Sequence, residues 1–222
     1  MRSVRTTFGG AVAEITAARL VALADSIAVE AQNGTHWTKD RYDRERFARI
    51  LQYASEILAG TLAEEPAAVT RWYTDEPGTL TAKVGASVAA FDADGRLLLI
   101  QRRDNACWAM PGGIVEYGET VAGAARREVW EESGVAVRIH TLLGIYETHR
   151  HGFQTARRWQ HIAFLADVVS GTPGPSDETL AAGFFTKDEV AALPISPGYD
   201  DPIRDAFAAH RSGIVTAFFD LP

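Results

Sequence analysis

Residues 113–135 place glutamates, an arginine and glycines at a spacing that restricts both the local fold and its chemistry. They read G-x5-E-x7-R-E-U-x-E-E-x-G-U, where U is an apolar residue and x is any residue. In a helix, Glu128, Glu131 and Glu132 lie on one side, because Glu131 and Glu132 follow Glu128 by three and four residues. Like charges at this spacing destabilise a helix, and each raises the pKa of its neighbour. The segment therefore predicts a helix whose acidic side binds a cation.

A hard divalent cation is the partner that this acidic side favours. Mg²⁺ takes oxygen ligands, keeps several waters, and is usually shared between a few carboxylates and substrate phosphates. We expect Glu128, Glu131 and Glu132 to be metal ligands. The backbone carbonyl of Gly112 or Gly113 is expected as a further ligand, since glycine lets the backbone approach closely. The alternative is an acidic helix face exposed to water, which is the usual state of a run of charges.

The pattern over residues 113–135 resembles the signature of the Nudix hydrolases, and it matches at every fixed position. This resemblance implies an α/β fold, an α/β/α sandwich built on a mixed sheet. It also implies Mg²⁺-dependent hydrolysis of the pyrophosphate bond in a nucleoside diphosphate linked to another moiety, with Mn²⁺ able to substitute. Residues 37–47 are similar to the N-terminal helical region of a bacterial Nudix group of ADP-ribose or CDP-choline pyrophosphatases. ADP-ribose is therefore the first expected substrate, followed by CDP-choline or a nucleotide sugar.

The candidate general bases are two glutamates. Glu119 belongs to the signature, whereas Glu178 lies six residues before Phe184, in a loop where some Nudix enzymes place a metal-binding or catalytic carboxylate. We favour Glu178 over Glu119. Arg127 lies four residues before Glu131, so we expect the two to pair, with Arg127 orienting the carboxylate. The alternative for Arg127 is an ordinary surface ion pair.

Basic side chains near the ends of predicted strands are the candidate substrate ligands. Arg102 and Arg103 end one strand and Arg158 opens another, so their guanidinium groups can reach substrate phosphates. His149 lies between two predicted strands and can contact phosphate or donate a proton near neutral pH. The alternative for all of these side chains is a solvated position on the surface.

The apolar pattern divides the chain into four regions. Residues 1–63 predict a small helical domain whose apolar stripes need a partner surface, which favours a homodimer. Residues 64–82 contain two prolines and a glycine and predict a linker. Residues 83–212 predict the Nudix-type domain, and residues 213–222 predict a C-terminal tail.

Within these regions, helical and strand-like patterns alternate. A helix over residues 13–32 is expected to stop at Asn33-Gly34, and a second helix is expected to begin after Asp40 or Asp43. The later elements are expected as a hairpin of strands 84–91 and 96–102, a helix over 120–132, strands 135–148, 158–168 and 183–185, and a helix over 200–210.

Composition narrows the classes of function. A formal net charge of −7 over 222 residues disfavours a nucleic-acid surface. The single cysteine fits a reducing cytoplasm, and no apolar run reaches the length of a membrane span. Two other functions compete: a nucleoside triphosphate or RNA 5′-end pyrophosphohydrolase, and a transcriptional regulator that senses ADP-ribose without cleaving it. Because every carboxylate of the signature is present, the sequence favours an enzyme.

Overall fold

The computed structural model describes two compact units of the chain, which divide between Leu80 and Thr81. The described residues are 15–76, 78–116, 118–148, 150–151 and 158–221. Among these residues, no helix combines the length and the apolar character that crossing a bilayer requires.

The part of the first unit that the structure describes contains two long helices and a shorter third. α1 spans Ala17–Trp37, α2 spans Arg41–Leu62, and α3 spans Pro66–Thr74. The side chains of Thr16 and Asp40 cap α1 and α2 by accepting a backbone N–H from the first turn. Small residues on α1 let α2 pack closely against it. The buried core of this unit comprises Ala24, Ala28, Ala31, Leu51, Ala54, Leu58, Ala59, Val69, Tyr73 and Leu80.

The linker predicted over residues 64–82 is wrong, because this segment contains helix α3. Pro66 occupies the first turn of α3, where its missing N–H removes no helical hydrogen bond. Val69 and Tyr73, one turn apart, are buried in the helical core. The helical unit therefore continues past residue 63 and ends at Leu80.

The helix stop predicted at Asn33-Gly34 is also wrong, since α1 continues to Trp37. A Cβ at Gly34 would lie 2.5 Å from ring atoms of Phe47, so glycine is needed here for helix packing. The Asn33 side-chain amide accepts a hydrogen bond from Leu80 N at 2.7 Å and donates to Leu80 O at 3.2 Å. Both residues therefore serve tertiary contacts within the helical unit.

In its described residues, the second unit is an eight-stranded mixed sheet with helices on both faces. Its strands are β1 Lys83–Phe91, β2 Leu97–Arg102, β3 Trp108–Ala109, β4 Gly112–Ile114, β5 Ala136–Glu147, β6 Trp159–Ser170, β7 Thr179–Phe185 and β8 Phe218–Phe219. Its helices are α4 Val121–Ser133, α5 Lys187–Val190 and α6 Asp200–Ser212. The strand order is β3-β2-β1-β6-β5-β8, with β4 also pairing with β1 and β7 with β2. β1–β6 and β5–β8 are parallel pairs, and the other pairs are antiparallel.

β1 lies within the sheet and is covered on both faces. Val88 and Ala90 pack in one core cluster with Val129 of α4. Phe91 packs in the opposite cluster against Phe207 of α6, with ring centroids 5.4 Å apart. Both faces of the strand are therefore apolar, as expected for a strand buried between two helical layers. The α/β/α sandwich with a mixed sheet, preceded by a helical region, is confirmed.

Two details of the second unit differ from the prediction. The hairpin predicted from strands 84–91 and 96–102 pairs only next to its turn, at Phe91 and Leu97. Farther from the turn, β1 pairs with β4 and β2 pairs with β3, while β7 pairs with β2 from Leu97 to Arg102. The tail predicted over residues 213–222 contains β8, which pairs with β5. The β2–β7 pairing has a consequence for the site: it brings the loop that carries Glu178 next to the end of β2.

Candidate active site

Helix α4 carries the acidic residues that predict a cation site. Thr120 caps its start by accepting from Gly123 N at 3.1 Å. Gly134 ends it in the left-handed conformation (φ +72°) that glycine adopts without strain. Ala125 and Val129 bury one side of the helix against the sheet. The acidic side is thereby placed beside β4.

Three carboxylates meet in this part of the second unit. Glu128 and Glu132 come from α4, Glu178 comes from the loop before β7, and one oxygen of each lies within 4.8 Å of the others. Glu128 and Glu132 are each 8% exposed. Burial raises the pKa of Glu132 to about 7, against the opposing effects of the Gly112 N–H and Arg102, and burial also raises the pKa of Glu128. We call these three residues the carboxylate cluster; without a cation, its ionised form is costly.

Arg127 contacts three glutamates, one of them in the carboxylate cluster and two beside it. Its guanidinium donates to Glu119 through Nε at 2.9 Å and through Nη2 at 3.0 Å. Its Nη1 lies 2.9 Å from both Glu128 Oε1 and Glu131 Oε2. The hydrogen bond from Arg127 lowers the pKa of Glu119, which is therefore ionised at neutral pH. Arg127 thus holds the Glu128 carboxylate in place by a hydrogen bond to one of its oxygens.

Two glycines of β4 allow the backbone to approach the cluster. The Gly112 N–H donates to Glu132 Oε2 at 2.7 Å. A Cβ at Gly112 would lie 2.3 Å from the carbonyl oxygen of Ala86, which belongs to β1. A Cβ at Gly113 would lie 2.4 Å from Glu128 Oε1. Glycine is required at both positions, at the first by a rigid strand and at the second by a carboxylate of the cluster.

The cluster faces a cleft of about 940 Å³. Arg102, at the end of β2, lines this cleft and donates to Asp104 through Nε at 3.0 Å and Nη2 at 2.7 Å. His161 and Tyr199 also line it, and both are buried. Burial lowers the pKa of His161 to about 4 and raises the pKa of Tyr199 to about 12, so both rings are uncharged at neutral pH. The cleft thus offers carboxylates, a guanidinium and neutral polar rings to one ligand.

Comparison with family models identifies the family to which a chain with this site belongs. Residues 81–206 match the model described as the NUDIX domain. The chain belongs to the Nudix hydrolase family. A second model, described as the UDP-X-like, N-terminal oligomerisation domain, matches residues 18–73 within the helical unit. The family resemblance of both regions, predicted from the sequence, is confirmed.

Named relatives of this Nudix protein include pyrophosphatases. The Bacillus subtilis (strain 168) protein named "Putative ADP-ribose pyrophosphatase YjhB" is 29% identical over 180 residues, which cover 81% of this chain and 85% of that protein. The structure of an ADP-ribose pyrophosphatase from Streptococcus suis 89-1591 is similar with a TM-score of 0.55 at 27% identity, covering 63% of this chain and 100% of that one. The structure of a UDP-X diphosphatase shares the fold, with a TM-score of 0.55 at 20% identity and coverage of 90% and 98%.

Within the Nudix signature, the three predicted metal ligands do not all lie in the same place. Glu128 and Glu132 lie in the carboxylate cluster, whereas Glu131 pairs with Arg127. Glu178, predicted as the general base, supplies the third carboxylate. Spacing could not separate Glu131 from Glu132, because the two differ by about 100° around the helix and both lie near Glu128. Ligation by Glu131 and by the carbonyl of Gly112 stays a prediction.

The predicted substrate ligands of this Nudix protein occupy different environments. Arg102 lines the cleft near the carboxylate cluster. Arg103 also lines the cleft, but its guanidinium donates to backbone carbonyls of residues 176–179. Arg158 is exposed immediately before β6, and the described lining of the cleft does not include it. His149 lies outside the described residues.

His161 and Tyr199 were not among the candidate residues from the sequence. His161 is the polar one among the buried positions of β6, where Ala163, Leu165 and Ala166 are the others, and its Nε2 lies 2.7 Å from the hydroxyl of Ser87 on β1. A histidine within a buried strand is a usable signal, because buried polar side chains need a specific partner. Tyr199 lies directly before α6 and belongs to no motif that spacing could identify.

Proposed function

We propose that this Nudix hydrolase is a Mg²⁺-dependent pyrophosphatase of nucleoside diphosphate conjugates, with ADP-ribose as its first candidate substrate. The carboxylate cluster of Glu128, Glu132 and Glu178 beside Arg102 is the observation that carries this proposal. The names of the Bacillus and Streptococcus relatives support ADP-ribose. CDP-choline and nucleotide sugars are the next candidates.

The donor set of the cluster fits Mg²⁺. All three residues offer carboxylate oxygens, the donor type that Mg²⁺ prefers, and they face a cleft that is large enough for a nucleotide conjugate. Burial raises the pKa of Glu132 to about 7, and a bound dication offsets that cost by favouring the ionised form. Mn²⁺ accepts the same oxygen ligands and is expected to substitute.

The side chains divide the chemistry of pyrophosphate hydrolysis between them. Glu128, Glu132 and Glu178 would hold a divalent cation, which when bound would neutralise phosphate oxygens and lower the pKa of water. Glu178 is exposed and offers one carboxylate oxygen to the cation site, so its other oxygen can accept the proton of the attacking water, while Arg102 binds a phosphate oxygen. Arg127 occupies both oxygens of Glu119, which leaves Glu119 to hold Arg127 rather than to act as the base. Water attacks one phosphorus, and the bond to the bridging oxygen breaks.

A panel of substrates tests the proposal. The protein is incubated with Mg²⁺ and ADP-ribose, CDP-choline, UDP-glucose or a nucleoside triphosphate, and the products are separated by chromatography. We expect AMP and ribose 5-phosphate from ADP-ribose. Release of pyrophosphate from the triphosphate alone would instead support the triphosphate or RNA 5′-end hydrolase. Binding of ADP-ribose without cleavage anywhere in the panel would support the non-catalytic regulator.

We infer that the helical unit forms a homodimer through an exposed face of α2. Ile50, Tyr53 and Ile57 lie on one side of α2 and are 39%, 58% and 40% exposed. The buried face of the same helix, which includes Leu51 and Leu58, already packs in the core of its own unit. A helix with a second apolar face gains stability from a partner surface, and the matched family model is described as an oligomerisation domain.

Light scattering after gel filtration tests the dimer. We expect wild type to elute as a dimer at micromolar concentration and the pair of substitutions Ile50→Glu and Ile57→Glu to yield a monomer. Gln52→Glu adds a carboxylate to an exposed polar position of the same helix and should leave the dimer intact. A monomeric wild-type protein would contradict the inference.

A further inference from the structure

Arg103 binds the protein backbone where the sequence predicts a bound phosphate. Its Nε donates to the carbonyl of Asp177 at 3.0 Å, and its Nη2 donates to the carbonyls of Ser176 and Thr179, each at 3.1 Å. These three carbonyls precede and follow Glu178 in the chain. The guanidinium therefore spans the loop that carries the third carboxylate of the cluster.

The same loop is tied to helix α4 at the residue that carries another carboxylate. The Thr179 hydroxyl is buried and donates to the carbonyl of Glu132 at 2.8 Å. Within the loop, Ser176 N donates to Thr179 Oγ1 at 3.0 Å, and Glu178 N donates to Ser176 Oγ at 3.1 Å. The side chain of Glu178 is exposed, but the backbone that carries it is thus held in place by Arg103 and by helix α4.

We propose that Arg103 is a positioning residue that holds Glu178 in the carboxylate cluster and thereby sets the affinity of the site for a divalent cation. Charged donors make the stronger class of hydrogen bond, and a guanidinium can hold several carbonyls in one fixed geometry. Arg103 thus differs in role from its neighbour Arg102, whose guanidinium contacts a side chain, Asp104, at the wall of the cleft. This inference rests on the proposed function, because it takes Glu178 as part of the cation site.

Mn²⁺ binding to the substrate-free protein tests the proposal without relying on activity. Free Mn²⁺ is measured by electron paramagnetic resonance during titration of wild type, Arg103→Gln, Glu178→Gln and the double variant. We expect Arg103→Gln to weaken Mn²⁺ binding at least about tenfold, the size typical of a lost partner of a metal ligand. In the Glu178→Gln background, the same change should have less than about a twofold effect, because a residue that acts through Glu178 loses its influence with that carboxylate.

Two further variants keep the test independent of folding. Arg138→Gln removes an exposed arginine on β5, away from the cleft, and should bind Mn²⁺ as wild type does. Arg103→Lys retains one charged donor and should give a loss between those of wild type and Arg103→Gln, so it carries the test if Arg103→Gln does not fold. Circular dichroism establishes that each variant is folded.

The outcomes separate the positioning role from other roles. If Arg103→Gln keeps wild-type Mn²⁺ affinity and raises KM for the nucleotide conjugate, Arg103 is a phosphate ligand and the proposal is wrong. If Glu178→Gln keeps wild-type affinity while Glu128→Gln and Glu132→Gln do not, the assignment of Glu178 and the role of Arg103 fall together, and the cation site itself stands. If none of the three glutamate variants weakens Mn²⁺ binding, the proposed function fails as well.

Discussion

Gly113→Ala is a small substitution that should reduce catalysis with little loss of stability. The added Cβ would lie 2.4 Å from Glu128 Oε1, whereas ordinary contact begins at about 3.4 Å, so the carboxylate must move by about 1 Å. The atoms that the new Cβ meets belong to the end of a side chain and not to backbone, and the move therefore costs the fold less than a clash with a strand would. It costs the cluster more, because a misplacement of about 1 Å in a catalytic group can reduce the rate by about 10²-fold, or about 2.7 kcal/mol of transition-state stabilisation.

The assay compares kcat/KM for the best substrate of the panel with the midpoint of urea unfolding. Gly113→Ala should lower kcat/KM by about 10²-fold and leave the midpoint nearly unchanged. Gly112→Ala should in addition lower the midpoint, since its Cβ meets the backbone of β1 at 2.3 Å and the strand cannot yield; a loss of about 1–3 kcal/mol of stability is expected. Gly174→Ala, with open space around the new Cβ, is the matched control. Wild-type kcat/KM in Gly113→Ala would refute the argument that Glu128 must be placed to within an ångström.

Three other predictions address the cluster and the surrounding fold. Glu128→Gln and Glu132→Gln should each lower kcat by orders of magnitude with little change in unfolding midpoint, and near-normal turnover of either at saturating Mg²⁺ would contradict its assignment as a ligand. Removal of divalent ions with a chelator should abolish hydrolysis, and Mg²⁺ or Mn²⁺ should restore it; activity that persists in the chelator would argue against a metal-dependent reaction. His151 lies 2.8 Å from Asp201 and 3.0 Å from Asp220. Burial lowers the pKa of His151, but the two hydrogen bonds and charges of the carboxyls outweigh burial, so its pKa is raised. The same bonds help to lower the pKa of both carboxyls. The histidine contribution is complete below its unfolded pKa of about 6.5 and is lost as pH rises through the higher folded value, whereas the carboxyl contributions are present above about 3.9 and are lost as pH falls through their lower folded values. Urea unfolding should therefore show the largest cost of His151→Gln near pH 5–6 and a smaller cost at pH 9, and a cost that does not change with pH would refute this linkage.

The signature helix could be predicted from the sequence because its information is local. Thr120 and Gly134 bound α4 within one residue of the predicted limits, and the apolar Val129 lies where the periodicity places the buried side. The spacing also identifies Glu128 and Glu132 as neighbours, since both are set by one helical turn. The place of Glu178 in the cluster depends on a contact between distant parts of the chain, the pairing of β2 with β7, and helical spacing carries no information about that contact.

The predictions that were wrong, the linker over residues 64–82 and the helix stop at Asn33-Gly34, concern residues that serve contacts with distant parts of the helical unit. Pro66 suggests a linker, yet at the start of a helix proline removes no hydrogen bond, and the buried Val69 and Tyr73 are what make α3 part of the unit. Gly34 suggests a helix end, yet it is glycine because the ring of Phe47 occupies the space of a side chain. For Arg103, the sequence shows the position of a charge along a strand but not which carbonyls lie within its reach, so its backbone contacts could not be predicted, and its role as a phosphate ligand stays a prediction.

The amide of Asn33 determines where the helical unit can be separated from the rest of the chain. It satisfies both the N–H and the C=O of Leu80, much as an adjacent peptide group would. A fragment cut after residue 63 lacks this anchor and α3, and it leaves the alanine-rich side of α1 partly bare to water and prone to aggregate. A fragment that extends just past Leu80 retains the anchor and the whole buried core, and it is therefore the piece to express when assembly is studied in isolation.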